Sequence, residues 1–467
     1  MFIQQLYTNC LSEAAYFIES NGEAAVIDPL RDTQQYLEMA REKKAKIKYI
    51  FETHFHADFV SGHIDLANET GATIIYGPGA VTNYKTYNAQ DGEIFTLGHI
   101  TIQALHTPGH TLESCCYLLK DEKGKDHALF TGDTLFVGDV GRPDLSSGNM
   151  SSKELAAILY HTLQTKILPL ANDIIVYPAH GPGSSCGKNL GPNTFSSIGD
   201  EKKNNYALQP QTEEQFINAI TGGLTDAPVY FSINAKINQQ GYAKLEEVKK
   251  RGLQPLNIET FKERANRGSI ILDTRHATEF TQGFVPGSIF IGLEGRFAEW
   301  AGSLLPFDNS IILITPTGKE EETVVRLARV GFDKMEGVLI GGFNHWKEAG
   351  EPIDMIIDIE ADELAMDLPH DPHLNIIDVR RETEFANGHV KDATNLPLHE
   401  MTDPAQLANF EDHQNLYIHC AGGYRSVIAA SLFKKQGLHN LRNVLGGWEK
   451  ISKLQSIEIE KDKTVLN

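Results

Sequence analysis

Histidine and aspartate side chains with metal-binding chemistry occur at close spacing near residue 55. His54 and His56 are separated by one residue, so on extended backbone both point to the same side. Asp58 adds a carboxylate two residues later. Imidazole nitrogens and carboxylate oxygens are common ligands of transition metals. The segment therefore indicates a metal site, although two histidines at this spacing can also serve only to complete hydrogen bonds in a core.

Three later segments add residues of the same kind in a fixed order. A tight Thr-Pro-Gly turn presents His110, and two apolar runs that read as strands end at Asp133 and His180. Strand ends meet at one edge of a sheet, where loops commonly carry the chemistry. Because four separate segments end in this way, we expect their side chains to converge on one site.

The order of these motifs resembles the metallo-β-lactamase superfamily over roughly the first 230 residues. The resemblance implies an α/β fold, here an αββα sandwich, with a metal site at one edge. Many members of the superfamily bind two metal ions on a longer motif, His-x-His-x-Asp-His. In this chain the last position of that motif is Phe59. The loss of that ligand favours a single metal ion.

Persulfide dioxygenases are a branch of this superfamily that holds one Fe(II) on two histidines and one carboxylate. The resemblance to this branch implies that His54, His110 and Asp133 are the metal ligands, with one Fe(II) per chain. Such a ligand set leaves three coordination positions for O₂ and substrate. The remaining residues of these segments would then orient the ligands or contact the substrate. They are His56, Asp58, His180, Arg142 and Cys186.

Arg142 and Cys186 each have two interpretations. Arg142 lies in the loop 138–144, which also resembles the dioxygenase branch, and would orient that loop or meet an anionic substrate. A structural salt bridge explains Arg142 equally well. Cys186 lies in a Gly- and Ser-rich loop after His180 and would carry sulfur near the iron, or have no role.

Composition limits the class of protein. The chain has 467 residues, with 62 acidic and 42 basic side chains and a formal net charge of −20, which suggests two to four domains. This charge argues against a nucleic acid or an anionic membrane as the main partner, but it leaves a small anionic substrate possible. No apolar run is long enough to span a membrane, and the first residues do not resemble a signal peptide. Five scattered cysteines fit a reducing compartment, so we expect a cytoplasmic protein.

Strands and helices alternate along the first domain, which we assign to residues 1–235. Helices are predicted over 33–43, with Asp32 or Thr33 as the N-cap, and over 62–70 and 151–163. A charged stretch interrupted by glycine and proline is predicted to be a linker, at 236–257.

The remainder of the chain contains an internal repeat. Asp273-x-Arg275 recurs as Asp378-x-Arg380, and a Glu-Phe pair, a Gly-x-Val triplet and a Gly-Gly-aromatic triplet recur at the same offset of 105 residues. Repeats of this kind indicate tandem copies of one domain. The copies are assigned to 258–355 and 358–460, and the motif series resembles the rhodanese family, which implies two small α/β domains.

The two copies differ where a nucleophile would lie. In the second copy a predicted strand ends at Cys420 and is followed by a turn and a helix, so several backbone N–H groups would point at the sulfur. The helix start and Arg425 would favour the thiolate. Such a cysteine can accept and pass on sulfur as a persulfide. The rest of the loop is Ala421, Gly422, Gly423, Tyr424 and Ser426. The first copy has Thr315 at the equivalent position and is predicted to be inactive in sulfur transfer.

The combination of domains is similar to multidomain persulfide dioxygenase–sulfurtransferases. This resemblance implies oxidation of a low-molecular-weight persulfide to sulfite at iron, and transfer of a second sulfur through Cys420 to give thiosulfate. The expected partners are O₂, sulfite and the persulfide of glutathione, coenzyme A or a similar thiol, and a homo-oligomer is expected. Two alternatives stay open: a glyoxalase II-like dinuclear thioester hydrolase fused to a rhodanese, and a sulfur carrier without oxidative activity.

Overall fold

Two six-stranded sheets form the first part of the chain in the computed structural model, which describes residues 1–145, 150–224, 227–411 and 413–462. The first sheet has the strand order β1-β2-β3-β4-β5-β6 and the second has the order β12-β11-β10-β9-β8-β7. The strands of the first sheet are β1 (Phe2–Thr8), β2 (Glu13–Ser20), β3 (Glu23–Ile27), β4 (Lys46–Phe51), β5 (Thr73–Tyr76) and β6 (Tyr87–Asn88). Those of the second are β7 (Ile94–Leu97), β8 (Ile100–His106), β9 (Cys115–Lys120), β10 (Asp126–Gly132), β11 (Ile175–Pro178) and β12 (Ser196–Ser197).

Side-chain alternation explains why these sheets stack. In β2, Tyr16 and Ile18 point into a core between the two sheets, while Ala15 and Phe17 point to the outer face. Both faces of the strand are apolar, so both must be covered. Helices cover the outer faces of the two sheets, which gives four layers. This arrangement confirms the predicted αββα sandwich.

The helices of this part lie on opposite sides of the two sheets. α1 (Gln34–Lys43) and α2 (His63–Thr70) pack on the first sheet. On the second sheet lie α3 (Ser152–Thr162), continued by a π turn at Leu163–Ile167, and α5 (Glu213–Thr221). The other elements are α4 (Ile198–Asn204), a 3₁₀ turn at Tyr206–Leu208 and α6 (Val229–Gln240). Among the described residues no helix is both long and apolar enough to cross a membrane.

The chain divides into two compact units, Met1–Glu247 with Val325–Asp333, and Val248–Val324 with Lys334–Asn467. In the first unit Arg31 is fully buried, and its guanidinium donates to both carboxylate oxygens of Asp333 at 2.6 and 2.8 Å. It also donates to the carbonyl oxygens of Ala328 and Ala243. These bonds fix the segment 325–333 within the first unit.

The same segment supports the chain that carries His54–Asp58. The Val60 N–H donates to the Arg329 carbonyl at 2.7 Å. The Arg329 guanidinium binds both oxygens of Asp32 at 2.7 and 2.8 Å. Asp32 is therefore engaged by a tertiary partner, and the Thr33 hydroxyl donates to Glu69 instead of capping α1. The predicted helix is present, but its predicted side-chain cap is wrong.

The stretch 236–257, expected to be a linker, has secondary structure of its own. The last turn of α6 is followed by α7 (Leu245–Gly252) and by strand β13 (Pro255–Leu256). β13 pairs in parallel with the last strand of the following domain.

Two sheets of identical topology form the second unit. The third sheet has the order β13-β17-β16-β14-β15, and the fourth has β18-β23-β22-β19-β21. The first copy contains β14 (Ile270–Asp273), β15 (Ile289–Phe290), β16 (Ile311–Ile314), β17 (Met335–Leu339), α8 (Ile258–Asn266), α9 (Ala277–Gln282), α10 (Phe297–Leu304), α11 (Glu320–Arg329, shared with the first unit) and α12 (Gly342–Glu348). Each strand of this sheet has its counterpart at the same place in the fourth sheet, which confirms the tandem rhodanese-like α/β domains.

The second copy has the same elements with a small additional strand pair. It contains β18 (Ile357–Ile359), β19 (Leu374–Asp378), β20 (His389–Val390), β21 (Thr394–Asn395), β22 (Asn415–His419), β23 (Leu441–Val444), β24 (Ile459–Glu460), α13 (Ala361–Asp367), α14 (Glu382–Ala386), a 3₁₀ turn at Leu398–Thr402, α15 (Pro404–Leu407), α16 (Tyr424–Lys435) and α17 (Gly447–Ile451). β20 and β24 pair with each other.

The repeated sequence motif has one structural explanation in both copies. In the second copy the Arg380 guanidinium binds Asp378, donates to the Gly388 carbonyl at 2.7 Å and stacks on Trp448, with 4.3 Å to the ring centroid. In the first copy Arg275 makes the same contacts with Asp273, Gly283 and Phe343. The recurring residues therefore join the strand, the turn and the last helix of each copy.

Candidate metal centre and sulfur-transfer site

Strand ends place the side chains predicted to bind metal at one edge of the sandwich. His54 follows β4, Asp133 follows β10 and His180 follows β11. His110 follows β8 on a turn in which the Thr107 N–H donates to the Ser114 carbonyl. All four side chains are buried, with at most 2% of each residue exposed. The sequence-predicted residues of the first domain are thus brought together.

His54, His110 and Asp133 form a compact group. Asp133 Oδ2 lies 3.7 Å from His54 Nε2 and 3.5 Å from His110 Nε2. Three ligands about 2.1 Å from one ion, at angles between 90° and 120°, are separated by roughly 3.0 to 3.6 Å. Neither oxygen of Asp133 has a hydrogen-bond partner among the described residues, although both are buried. An orphaned buried carboxylate beside two imidazoles fits a metal ion.

Neighbouring hydrogen bonds fix which nitrogen of each imidazole faces this group. His110 Nδ1 lies 2.8 Å from the Arg142 carbonyl, which can only accept, so Nδ1 carries the proton and Nε2 is free. Thr53 Oγ1 donates to Asp28, and it therefore accepts from His54 Nδ1 at 3.0 Å. Burial lowers the pKa of His54 well below its ordinary value. The neutral imidazole is the form that binds a metal.

A second group of donors lies beside the first. His56, Asp58 and His180 have ligand atoms within 4.8 Å of one another, and His180 Nε2 is 3.6 Å from Asp58 and 3.5 Å from Asp133. His180 Nδ1 faces the Ser12 carbonyl at 3.2 Å, so Nε2 is the atom turned to the site. This group is next to Phe59, whose ring centroid lies 4.4 Å from that of His56.

Three buried carboxylates behind His56 were not recognised from the sequence. Asp28 Oδ1 lies 3.1 Å from His56 Nε2, Glu52 lies 3.7 Å from the same atom, and Glu13 is also fully buried. Burial lowers the pKa of His56, but Asp28, Glu52 and Asp58 outweigh it and raise that pKa to about 10. Burial raises the pKa of Glu13 and of Glu52 well above the ordinary value. One signal was available in the sequence, because Asp28 directly follows β3, the strand that pairs with β4, and β4 leads to His54.

Arg142 and Cys186 lie against the metal group. The Arg142 guanidinium binds Asp144 through Nε at 3.1 Å and Nη2 at 2.7 Å, and its backbone N–H donates to the Cys186 carbonyl. Arg142 therefore forms the salt bridge considered above and also holds His110 through its own carbonyl. Cys186 is buried, with a ligand atom within 4.8 Å of those of Asp133 and His180. Burial raises the pKa of the Cys186 thiol well above its ordinary value.

The second sequence-predicted site forms around Cys420, which follows β22 and precedes α16. The thiol is buried, with 1% of the residue exposed, and the Gly423 N–H donates to Sγ at 3.1 Å. Gly423 has φ +107°, a backbone conformation that favours glycine. Ser426 Oγ lies 3.7 Å from Sγ. Among the described residues the turn presents one backbone donor to the sulfur, the Gly423 N–H, where the sequence predicted several.

The start of α17, with the sequence Gly446-Gly447-Trp448, contacts the cysteine turn through backbone hydrogen bonds. The N–H groups of Trp448 and Glu449 donate to the carbonyls of Cys420 and Ala421 at 2.7 and 3.1 Å. Gly447 approaches so closely that a Cβ there would lie 2.2 Å from the Cys420 oxygen. The position of the sulfur therefore depends on a glycine in another segment.

The remaining residues of the turn face different partners. The Arg425 guanidinium binds both oxygens of Glu384, at 2.7 and 2.8 Å, and the Tyr424 hydroxyl donates to the Gly292 carbonyl in the first copy. Gly422 and Cys420 line one cavity. In the first copy Thr315 follows β16 as Cys420 follows β22, so that position has a hydroxyl in place of a thiol.

Comparisons with known proteins agree with the two-part architecture. The profile of the Metallo-beta-lactamase superfamily matches residues 8–180, and the profile of the Rhodanese-like domain matches 257–349 and 360–454. A solved metallo-beta-lactamase structure from Staphylococcus aureus subsp. aureus COL is 32% identical, with a TM-score of 0.64. The match covers 73% of this chain and 98% of that chain.

Curated relatives match part of the chain. The probable hydroxyacylglutathione hydrolase glo2 of Schizosaccharomyces pombe is 34% identical over 160 residues, which are 33% of this chain and 58% of that protein. Hydroxyacylglutathione hydrolase GloC of Haemophilus influenzae is 27% identical over 217 residues, 42% of this chain and 91% of that protein. This chain spans 48% to 60% of the length of four of the curated relatives that it matches.

Proposed function

The chain belongs to the metallo-β-lactamase superfamily and carries two rhodanese-like domains, and from that premise we propose that it is a persulfide dioxygenase with sulfurtransferase activity. The observation that carries the proposal is the buried triad His54, His110 and Asp133 in one chain with the turn of Cys420. The first site would oxidise the outer sulfur of a low-molecular-weight persulfide to sulfite. The second would transfer a further sulfur, and thiosulfate would be the joint product.

In the proposed reaction His54 Nε2, His110 Nε2 and a carboxylate oxygen of Asp133 would hold one Fe(II). When bound, such an ion supplies free coordination positions for oxygen and for an anionic sulfur. The overall reaction consumes one persulfide, one O₂ and one water, and it gives one thiol, one sulfite and two protons. His180 Nε2 faces the site without a protein partner among the described residues, so it would hold the water or accept a proton.

The surroundings of the triad exclude bulk water and keep its geometry. The Arg142 carbonyl orients His110, and Thr53 with Asp28 orients His54. Asn238 of α6 donates to the carbonyls of His56 and Phe59, each at 2.8 Å, and accepts from the Ser61 N–H. Cys186 would receive or pass on sulfur beside Asp133, a role supported by its position next to the triad and opposed by the raised pKa of its thiol.

At the second site the thiolate of Cys420 attacks the outer sulfur of a persulfide. A new S–S bond forms, the donor S–S bond breaks, and its electron pair leaves with the thiolate of the donor. Sulfite then attacks the outer sulfur on Cys420, which gives thiosulfate and restores the thiolate. The Gly423 N–H and the start of α16 would stabilise the negative sulfur throughout. The proposed carriers are glutathione, coenzyme A or a similar thiol.

Cys420→Ser separates the two activities. We expect persulfide-dependent oxygen uptake to persist, sulfite to accumulate and thiosulfate to fall, measured in one reaction by an oxygen electrode and by chromatography of the sulfur anions. Thr315→Ser, at the equivalent position of the first copy, is the matched control and should leave both products unchanged. Loss of oxygen uptake in Cys420→Ser with the metal still bound would contradict two separate sites.

A second candidate function is hydrolysis of a thioester at a dinuclear centre. It is favoured by the group His56, Asp58 and His180, which lies beside the triad, and by the curated relatives named as hydroxyacylglutathione hydrolases. Phe59 argues against it, because it provides no ligand at the last position of the longer motif. Two metal ions per chain together with hydrolysis of S-lactoylglutathione would establish the hydrolase. One iron per chain with no hydrolysis would exclude it.

A further inference from the structure

Both rhodanese-like copies line the cavity that leads to Cys420. This cavity has a volume of about 680 Å³ and lies within the second compact unit. The second copy contributes Cys420, Arg381 and Arg425 to its wall, and the first copy contributes Arg296 and Trp300. The first copy, which has Thr315 in place of the cysteine, therefore forms part of the wall around Cys420.

Direct contacts hold the first copy at this place. The Tyr424 hydroxyl of the cysteine turn donates to the Gly292 carbonyl at 2.7 Å. The Phe290 N–H of β15 donates to the Ser431 hydroxyl of α16 at 3.0 Å. The turn and the helix that define the position of the sulfur are thus both bonded to the first copy.

Three guanidinium groups surround the cavity in a chain of net charge −20. Arg425 forms an ion pair with Glu384, and Arg296 forms one with Glu299. Arg381 is exposed and forms no ion pair with any described residue. Acidic side chains lie among these arginines, because Glu294 and Glu384 line the same cavity. Burial raises the pKa of Glu299, and the charges of Arg296 and Arg381 both oppose that rise. The rim therefore combines an exposed guanidinium of the second copy with one from the first copy.

The size of the cavity indicates an organic ligand. Sites for drug-sized molecules have volumes of about 300 to 1,000 Å³, and an inorganic sulfur anion of four or five atoms fills only a small part of such a space. Trp300 is partly exposed at the wall and provides an aromatic surface for an organic chain. Arginine binds carboxylate and phosphate groups through paired N–H donors.

We propose that Arg296 of the first copy and Arg381 of the second bind the acidic group of an organic persulfide donor at the mouth of the Cys420 cavity. This inference rests on the proposed sulfurtransferase activity and adds the chemical class of its donor. The first copy is then a substrate-binding wall and contributes no nucleophile. Carboxylates of a glutathione-like donor and phosphates of a coenzyme-like donor share the required chemistry.

Sulfur loading of Cys420 in the intact chain tests the proposal. The half-saturating concentration is measured by mass spectrometry of Cys420 with three donors: glutathione persulfide, coenzyme A persulfide and, as the uncharged donor, the persulfide of 2-mercaptoethanol, whose organic part carries no charge. Arg296→Gln and Arg381→Gln should each raise it about fivefold to tenfold for an acidic donor, with an unchanged maximal rate. They should leave it unchanged for the uncharged donor. Arg267→Gln, an exposed arginine outside this cavity, is the control.

The pattern of results separates the possible outcomes. A rise with glutathione persulfide only, or with coenzyme A persulfide only, identifies the donor and supports the proposal. An equal rise with all three donors, or no rise in either variant, would overturn it. A lower maximal rate with an unchanged half-saturating concentration would also overturn it, because it would assign the arginines to the transfer step.

A binding measurement distinguishes failure of this inference from failure of the proposed function. S-methylglutathione and S-methyl coenzyme A cannot transfer sulfur, and their binding is followed by the fluorescence of Trp300, with Trp300→Phe as the blank. If the wild-type chain binds one of them and Arg381→Gln binds it several-fold more weakly, the proposed binding site is supported. This conclusion stands even when no persulfide transfers sulfur to Cys420 and the proposed function fails. If the wild-type chain binds neither, the subsite is refuted even when Cys420 is loaded.

Discussion

Gly447→Ala is the sharpest test of how the chain positions its cysteine. Gly447 has φ +50°, and a Cβ there would lie 2.2 Å from the Cys420 oxygen and 3.0 Å from the Ala421 oxygen. Real Cβ atoms do not approach within 3.0 Å of another heavy atom. The Cys420 carbonyl must therefore move by about 1 Å, or the last helix must withdraw.

The expected loss of stability has two sources. A side chain in the left-handed region costs about 1 kcal/mol. Displacement of the turn weakens the bonds from the Trp448 and Glu449 N–H groups, each worth about 1 kcal/mol. We therefore expect the free energy of unfolding of the second unit to fall by about 3 kcal/mol. A displacement of 1 Å at a reacting atom costs about 100-fold in rate, so the loss of sulfur transfer should exceed the loss of folded protein.

Gly342→Ala is the matched control, 105 residues earlier in the first copy. Gly342 also has positive φ, +59°, but the nearest atom to its Cβ is the Thr315 oxygen at 3.5 Å, an ordinary contact. This variant should lose about 1 kcal/mol and keep full sulfur transfer. The assays are urea unfolding and single-turnover transfer from glutathione persulfide to Cys420. Equal transfer rates in the two variants would refute the account of the cysteine turn.

Two further variants test the first unit. Asn238→Ala removes three hydrogen bonds to the backbone of 56–61 and should weaken metal binding about 10- to 100-fold in a metal titration, whereas unchanged affinity would mean that α6 does not position the site. Arg31→Ala should lower the free energy of unfolding by about 3 kcal/mol. This value is at the lower end of the loss expected when a buried ion pair is broken, because the Asp333 side chain is 24% exposed. Urea titrations of this variant and of Arg41→Ala measure the two free energies of unfolding. Arg41 is exposed, so its substitution should change that free energy by less than about 0.5 kcal/mol. Similar losses in both variants would contradict the role given to the segment 325–333.

The sequence predicted those parts of the fold and of the site that depend on residues close together in the chain. Apolar runs predicted the strands, and residues at the ends of those strands predicted the edge where His54, His110, Asp133 and His180 meet. The 105-residue offset predicted a second copy of one fold, because the same arginine, carboxylate and glycine contacts are made twice. These features are local, so they can be read without knowledge of tertiary contacts.

Features made by distant parts of the chain were not predictable in this way. Glu13, Asp28 and Glu52 are single carboxylates without distinctive spacing, and only packing brings them to His56. The side-chain cap expected at α1 failed because Asp32 and Thr33 have tertiary partners. The wall that the first copy builds at Cys420 was likewise visible only in the structure.

The central claim is tested most directly by oxygen uptake of anaerobically purified, Fe(II)-loaded protein given glutathione persulfide or coenzyme A persulfide, with metal counted in the same sample. The account predicts uptake with about one iron per chain, and loss of both iron and uptake in His110→Ala, because two ligands cannot hold the ion as three do. It would be contradicted by the absence of uptake with either persulfide together with two metal ions per chain and hydrolysis of a glutathione thioester.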